Sequence, residues 1–219
     1  MSMLYEMKTT VVAYAQKMSQ DRLVTGTSGN ISCINSEQEL VAITPTGVNY
    51  DTLGVEDITI LDLNGVCLNG LAPSSEAPMH LAVYRSRKDV QAIVHTHSMF
   101  ATTFAVLGQT IPAMHYMVTA FGGDHIPITG EYKLFGTVDL AEAAVAAMGT
   151  QFKAVLLRNH GALTVGATLA EAYKHAVVLE EMAELYYHTR LAGNPVVLTN
   201  EQVVEVQEAI KGYGRQLHI

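Results

Sequence analysis

The sequence predicts an α/β fold with a central mixed, largely antiparallel sheet flanked by helices. Three observations carry that expectation. Apolar patterns of helical and strand period alternate along the chain. The strand patterns are short. Asn64-Gly65, inside "DITILDLNGVCL" (57–68), is a strong hairpin signal. Hairpin-joined short strands pair antiparallel, which argues against a doubly wound parallel sheet.

The elements follow in order. Residues 3–19 place Leu4, Met7, Val11 (or Val12), Ala15 and Met18 on one helical stripe. Strands are expected near 30–34 and at "LVAIT" (40–44), followed by the hairpin around Asn64-Gly65. A helix starts after Pro73, with Ser75 as its N-cap and Pro78 tolerated in the first turn. "AIVHTHS" (92–98) reads as strand and 98–107 as helix. An Ala-rich helix at 137–149 stops at Gly149, and "FKAVLLRNHGALTVG" (152–166) reads as strand, turn, strand. Thr168-x-x-Glu171 is a capping box opening a helix to about Leu191. Thr199-x-x-Gln202 opens a last helix ending near Gly212. No linker, repeat or low-complexity stretch divides the chain, so residues 1–219 read as a single domain.

Composition narrows the function. Of 219 residues 49% are hydrophobic, enough for one sizeable core. Only 16% are charged, a thin cover for a lone globule, which hints at surface buried in an oligomer. The net charge of −8 and the lack of a Lys/Arg run argue against nucleic acid and anionic membrane as partners. Cys33 and Cys67 fit neither a metal spacing nor a disulfide framework. The N-terminal segment carries Glu6, Lys8 and Lys17 in its apolar pattern, unlike a signal peptide, and no uncharged apolar run is long enough to span a bilayer. The expected location is the cytoplasm.

Chemistry concentrates in "AIVHTHSMF" (92–100). On a strand, residues i and i+2 face the same way, so His95 and His97 can aim two imidazoles at one point. His160, in "RNHGAL", is a third. Three neutral nitrogens around a divalent ion with an open position form a catalytic zinc set. A lone histidine is more often satisfied in the core, and His80, His115, His125, His175, His188 and His218 are read that way. Three further clusters are donor-rich. These are "GTSGN" (Gly26–Asn30), "TPTG" (Thr44–Gly47) and Ser74-Ser75 at a helix start, where free backbone N–H groups and the helix dipole favour an anion. None is a Walker A or dinucleotide fingerprint.

Together, "TSGNIS" (27–32), "ITPTGV" (43–48), "PSSEAPMHLAVYR" (73–85), "IVHTHS" (93–98), "MHYMV" with "GGDHIP" (114–127) and "LLRNHGALTVG" (156–166) resemble the class II aldolase/adducin-like family, over nearly the whole chain. The resemblance implies its three-layer fold and a Zn²⁺ held by His95, His97, His160 and Glu76, with Glu76 also the catalytic base. It implies a phosphate pocket of Gly29, Asn30, Thr46, Gly47, Ser74 and Ser75. Tyr116 would handle the proton on the aldehyde oxygen, and Tyr213 would reach a neighbouring subunit's site. It further implies a C4 homotetramer with sites between subunits, taking phosphorylated ketose and small aldehyde substrates. The motifs are most similar to the branch that cleaves L-fuculose 1-phosphate to dihydroxyacetone phosphate and L-lactaldehyde.

Rivals within the resemblance are L-ribulose-5-phosphate 4-epimerase and methylthioribulose-1-phosphate dehydratase. The epimerase branch has Asp in place of Glu76 and a His-Ala-Asp-Tyr-type segment where this chain reads "HYMVTAFGG". An adducin-type interaction module would have lost the histidine set. A structural zinc site with Glu76 as fourth ligand stays open, and the same donors would accept Co²⁺ or Mn²⁺.

Overall fold

The computed structural model describes residues 2–212. A seven-stranded sheet runs β4-β3-β2-β1-β5-β9-β8. Its strands are β1 (Asn30–Asn35), β2 (Leu40–Ile43), β3 (Thr59–Asp62), β4 (Cys67–Asn69), β5 (Ala92–Thr96), β8 (Ala154–Leu157) and β9 (Gly161–Gly166). Every ladder between them is antiparallel. The only parallel contact among the described residues is an isolated bridge from Ile128 to Leu156. A separate two-stranded sheet pairs β6 (Ile111–Pro112) with β7 (His125–Ile126). The sequence pattern did not reveal that small sheet, because two residues are too few to set a period.

Helices cover both faces, as strand alternation demands. Ala42, Ile60, Ala92 and Val94 point to one side, against α1 (Met3–Gln20) and the start of α5 (Leu169–Ala192). Ala154, Leu156 and Ala162 meet α3 (Met99–Leu107) and the middle of α5. The residues between them, Val41, Ile43, Ile93, Val155 and Leu163, meet α2 (Ala77–Ser86) and α4 (Val138–Met148) on the other side. The last helix, α6, spans Asn200–Gly212. Val11, Val12, Ala15 and Met18 of the predicted α1 stripe are buried, and Leu4 and Met7 pack partly against the same core.

Helix starts are where expectation and structure part. Thr199 and Gln202 form the reciprocal cap of α6. Thr168 caps α5 through the Glu171 amide, but the Glu171 carboxylate accepts from the Ala167 amide, one residue earlier than a standard box. The predicted Ser75 cap of α2 is corrected: Glu76 occupies that position and its side chain makes no capping bond. The Glu76 amide instead donates to Ser74 Oγ at 3.2 Å.

Antiparallel order gathers alternate chain ends at one edge of the sheet. The start of β1, the end of β2, the end of β5 and the start of β9 therefore meet. There Asn30 lies opposite His95, and a bridge from Pro45 to Pro73 brings the start of α2 alongside.

Candidate active site

Four side chains converge at this sheet end. Glu76, His95, His97 and His160 each offer one ligand atom, all within 4.8 Å of one another. His95 Nδ1 bonds the Ala162 carbonyl at 2.9 Å, which turns its Nε2 inward. His95 Nε2 stands 3.0 Å from His97 Nε2 and 3.0 Å from Glu76 Oε2. His160 Nε2 is 3.3 Å from Glu76 Oε1. Ligand atoms ~2.0–2.1 Å from one tetrahedral ion would lie about 3.3–3.4 Å apart, close to these separations. Glu76 Oε1 is buried without a hydrogen-bond partner, a cost a cation would remove. The donor set therefore fits a divalent ion.

Local sequence explains the convergence. His95 shares the face of Ile93 on β5, directed toward α2, and the His97 amide is held by the Leu23 carbonyl. His160 ends a tight turn between β8 and β9 in which Asn159 takes φ 56°. Gly161 comes next, and a Cβ there would stand 2.4 Å from the Thr96 carbonyl oxygen and 2.9 Å from His97 Cδ2. Only glycine lets the third histidine approach the other two.

The charges are coupled. Burial would push the Glu76 carboxyl up, but His95, His160 and the Asn30 amide hold it well below the usual carboxylate range. Burial pulls His95 down, and the facing Glu76 overcomes it and raises it. Burial and the neighbouring His95 lower His97 to about 3 and His160 to about 4. Both stay neutral near pH 7, as metal ligation needs.

Beside the cluster opens a cleft of about 380 Å³, and Gly29, Asn30, Thr46, Gly47, Ser74, Ser75, Glu76, His97 and His160 all line it. The three donor-rich turns thus form one concave surface. Gly29 takes φ 70°, and a Cβ there would meet Val24 at 2.5 Å and the His95 carbonyl oxygen at 2.7 Å. Tyr50 pins the turn by donating to the Gly29 carbonyl at 2.5 Å.

Tyr116 lies elsewhere. It is half exposed and lines a different, mainly apolar hollow with Met117, Phe121 and Val178, so a single chain does not bring it to Glu76. Tyr213 lies outside the described residues. Sequence reasoning missed Tyr132 and Phe135, which form an apolar side of the cleft; their signal was two aromatics in the Gly-flanked "GEYKLFG". It also set aside His80, which is fully buried and bonded to Asn30.

Residues 9–187 match the model of the class II aldolase and adducin N-terminal domain. The chain belongs to that family. It is 41% identical over 215 residues to a 5-deoxy-D-ribulose 1-phosphate aldolase of Bacillus thuringiensis serovar kurstaki, covering 98% of this chain and all of that one. It is 39% identical over 202 residues to an L-fuculose phosphate aldolase of Escherichia coli K12, covering 92% of each. A solved L-fuculose 1-phosphate aldolase structure superposes with a TM-score of 0.90 at 37% identity, over 94% of this chain and 96% of that one. The chain is thus a class II aldolase-type lyase with a His₃Glu metal site. No helix among the described residues is long and apolar enough to cross a membrane.

Proposed function

We propose that the protein reversibly cleaves a ketose 1-phosphate into dihydroxyacetone phosphate and a short aldehyde. L-Fuculose 1-phosphate, giving L-lactaldehyde, is the first substrate proposed. The extent of the likeness to the Bacillus relative favours 5-deoxyribulose 1-phosphate as a second. The observation that carries the reading is the His₃Glu cluster at the floor of a cleft walled by three donor-rich turns.

A divalent ion, with Zn²⁺ the proposed one, would act as a Lewis acid toward the ketose oxygens. The chain's own residues do the rest. Backbone and hydroxyl donors of Gly29, Asn30, Thr46, Gly47, Ser74 and Ser75 would anchor the phosphate, so that its binding energy orients the reacting carbons. In cleavage the C3–C4 bond breaks, the C4 hydroxyl loses its proton as the aldehyde forms, and Glu76 returns a proton to C3. In condensation Glu76 removes that proton. Glu76 Oε1, which makes no hydrogen bond, is the oxygen suited to this once the carboxylate has swung off the metal. Tyr132 and Phe135 suit the methyl end of a deoxyketose.

Tyr116 and Tyr213 would act across subunit boundaries in a C4 tetramer, with Tyr116 serving the aldehyde oxygen. The exposed Met99, Val106, Leu107 and Leu191 support burial of further surface by assembly. A cytoplasmic location fits phosphorylated substrates. The test is a coupled assay of dihydroxyacetone phosphate release, with L-fuculose 1-phosphate, 5-deoxyribulose 1-phosphate and L-ribulose 5-phosphate in parallel. Release from either 1-phosphate supports the aldolase reading. Turnover of ribulose 5-phosphate alone, seen as xylulose 5-phosphate, would replace it with the epimerase.

A further inference from the structure

Behind the metal cluster runs a closed line of buried polar groups. Asn30 Nδ2 donates to Glu76 Oε2 at 2.9 Å. Asn30 Oδ1 is 2.6 Å from His80 Nε2. His80 Nδ1 is 2.7 Å from Ser32 Oγ, and Ser32 Oγ is 2.7 Å from Tyr84 OH. Asn30 is 3% exposed, Tyr84 2%, and His80 and Ser32 not at all, so bulk water does not replace a missing partner.

Donor and acceptor chemistry gives the line one direction. An ionised carboxylate only accepts, so Asn30 must present its NH₂ to Glu76 and its carbonyl oxygen to His80. His80 then carries its proton on Nε2, and its bare Nδ1 must accept from the Ser32 hydroxyl. With its proton committed, Ser32 accepts from Tyr84. Each link fixes the next.

The far end of the line leaves the two Glu76 oxygens unequal. Oε2 accepts from Asn30 and stands beside His95, while Oε1 makes no hydrogen bond and faces His160 Nε2 at 3.3 Å. We propose that His80 is a positioning residue: by locking the Asn30 amide it tethers Glu76 through Oε2 and leaves Oε1, the oxygen facing His160, for proton transfer. Spacing agrees, because His80 follows Glu76 by one helical turn at the start of α2, on the face turned to β1. The inference rests on the role of Glu76 proposed above.

Two measurements test it, and the first needs no substrate. Long-range ¹H–¹⁵N spectra of the chelated protein, with His80 assigned by its loss in His80→Gln, should give the Nε2–H tautomer with Nδ1 unprotonated. The opposite tautomer overturns the inference, whether or not the wild-type protein turns over any ketose phosphate. The second measurement compares variants at full metal occupancy. His80→Leu removes the donor to Asn30 and should lower kcat by roughly 10–100-fold, with KM for the ketose phosphate little changed. His80→Gln can still donate to Asn30 and should recover most of kcat. Tyr84→Phe leaves the Ser32-to-His80 bond intact and should keep near wild-type kcat. Wild-type kcat in His80→Leu overturns the inference, as does a parallel loss in kcat and KM shared with Tyr84→Phe, which would mark a packing role. If His80→Leu fails to fold, the tautomer and the His80→Gln rate still decide.

Discussion

Two helix starts in this molecule use a glutamate in opposite ways. At α5, Glu171 follows a capping threonine, accepts from the Ala167 amide and pairs with Lys153. It complements the positive helix end and stands 3.9 Å from His175 Nε2 one turn on. At α2, Glu76 also follows small hydroxyl residues at a helix start. Yet its carboxylate makes no capping bond and turns to the imidazoles of His95 and His160. Ser74 Oγ takes over one of the free amides of that turn. Under the proposed function, the carboxylate withheld from its local capping task and buried against imidazoles is the one assigned to chemistry.

The sharpest way to break this comparison is to neutralise each glutamate. Glu76→Gln should keep the fold and bound metal, through the three histidines, but lose on the order of 10²–10⁴ in kcat, the range of a positioned acid–base group. Glu171→Gln should cost no more than about 1 kcal/mol of stability and leave kcat unchanged. Steady-state rates together with metal content per chain check both. Full activity in Glu76→Gln would remove it from the mechanism.

A pH titration of the metal-free protein sharpens the contrast further. His80 and His97 are lowered to about 3 and His160 to about 4 from an ordinary 6.5, chiefly by burial. Below pH 6.5 the unfolded chain therefore binds more protons than the folded one, and stability falls as pH falls. Each group contributes up to about 1.4 kcal/mol per pH unit, until its folded value is reached. Glu76 adds no slope above its ordinary 4.5, being ionised in both states. His95, raised, is protonated in both states below 6.5 and is likewise silent in that window. Thermal melts of chelated protein should drop steadily from pH 6.5 to 4, and added Zn²⁺ at pH 6.5 should raise the melting temperature.

Next in size is Gly161→Ala. Its Cβ would overlap the Thr96 carbonyl and press on His97, so roughly 2 kcal/mol of stability and much of the metal affinity should go. Gly47→Ala, at φ 69° but with open space around it, should cost about 1 kcal/mol and keep the metal. Smallest is the hydroxyl pair. Ser75→Ala should raise KM for a ketose 1-phosphate by about 3–10-fold, the worth of one hydrogen bond. Thr168→Ala should cost about 1 kcal/mol in stability and nothing in KM.

What could be read in the sequence was what lies close along the chain. His95 and His97 are brought close by their spacing of two across the end of one strand, Ser74 to Glu76 are contiguous, and the Gly29 and Gly47 turns flank strands whose patterns are plain. The sheet's one-edge gathering of these segments follows from antiparallel pairing. What could not be read depends on distant partners. The bonds from Asn30 to Glu76 and from Ser32 to His80 join positions 46 and 48 apart, and nothing local marks them. The β6–β7 pair is too short for a period. Tyr116 is proposed from its motif alone, and the motif does not carry where its loop lies. The Ser75 cap failed because propensity names a good cap, not a carboxylate drawn away by two imidazoles.

The most direct measurement is a metal titration of chelated protein against dihydroxyacetone phosphate release from L-fuculose 1-phosphate and 5-deoxyribulose 1-phosphate. Release should be absent after chelation and rise with added Zn²⁺ to a plateau at one ion per chain. Undiminished release from fully chelated protein would contradict the assignment of His95, His97, His160 and Glu76 as the catalytic metal centre.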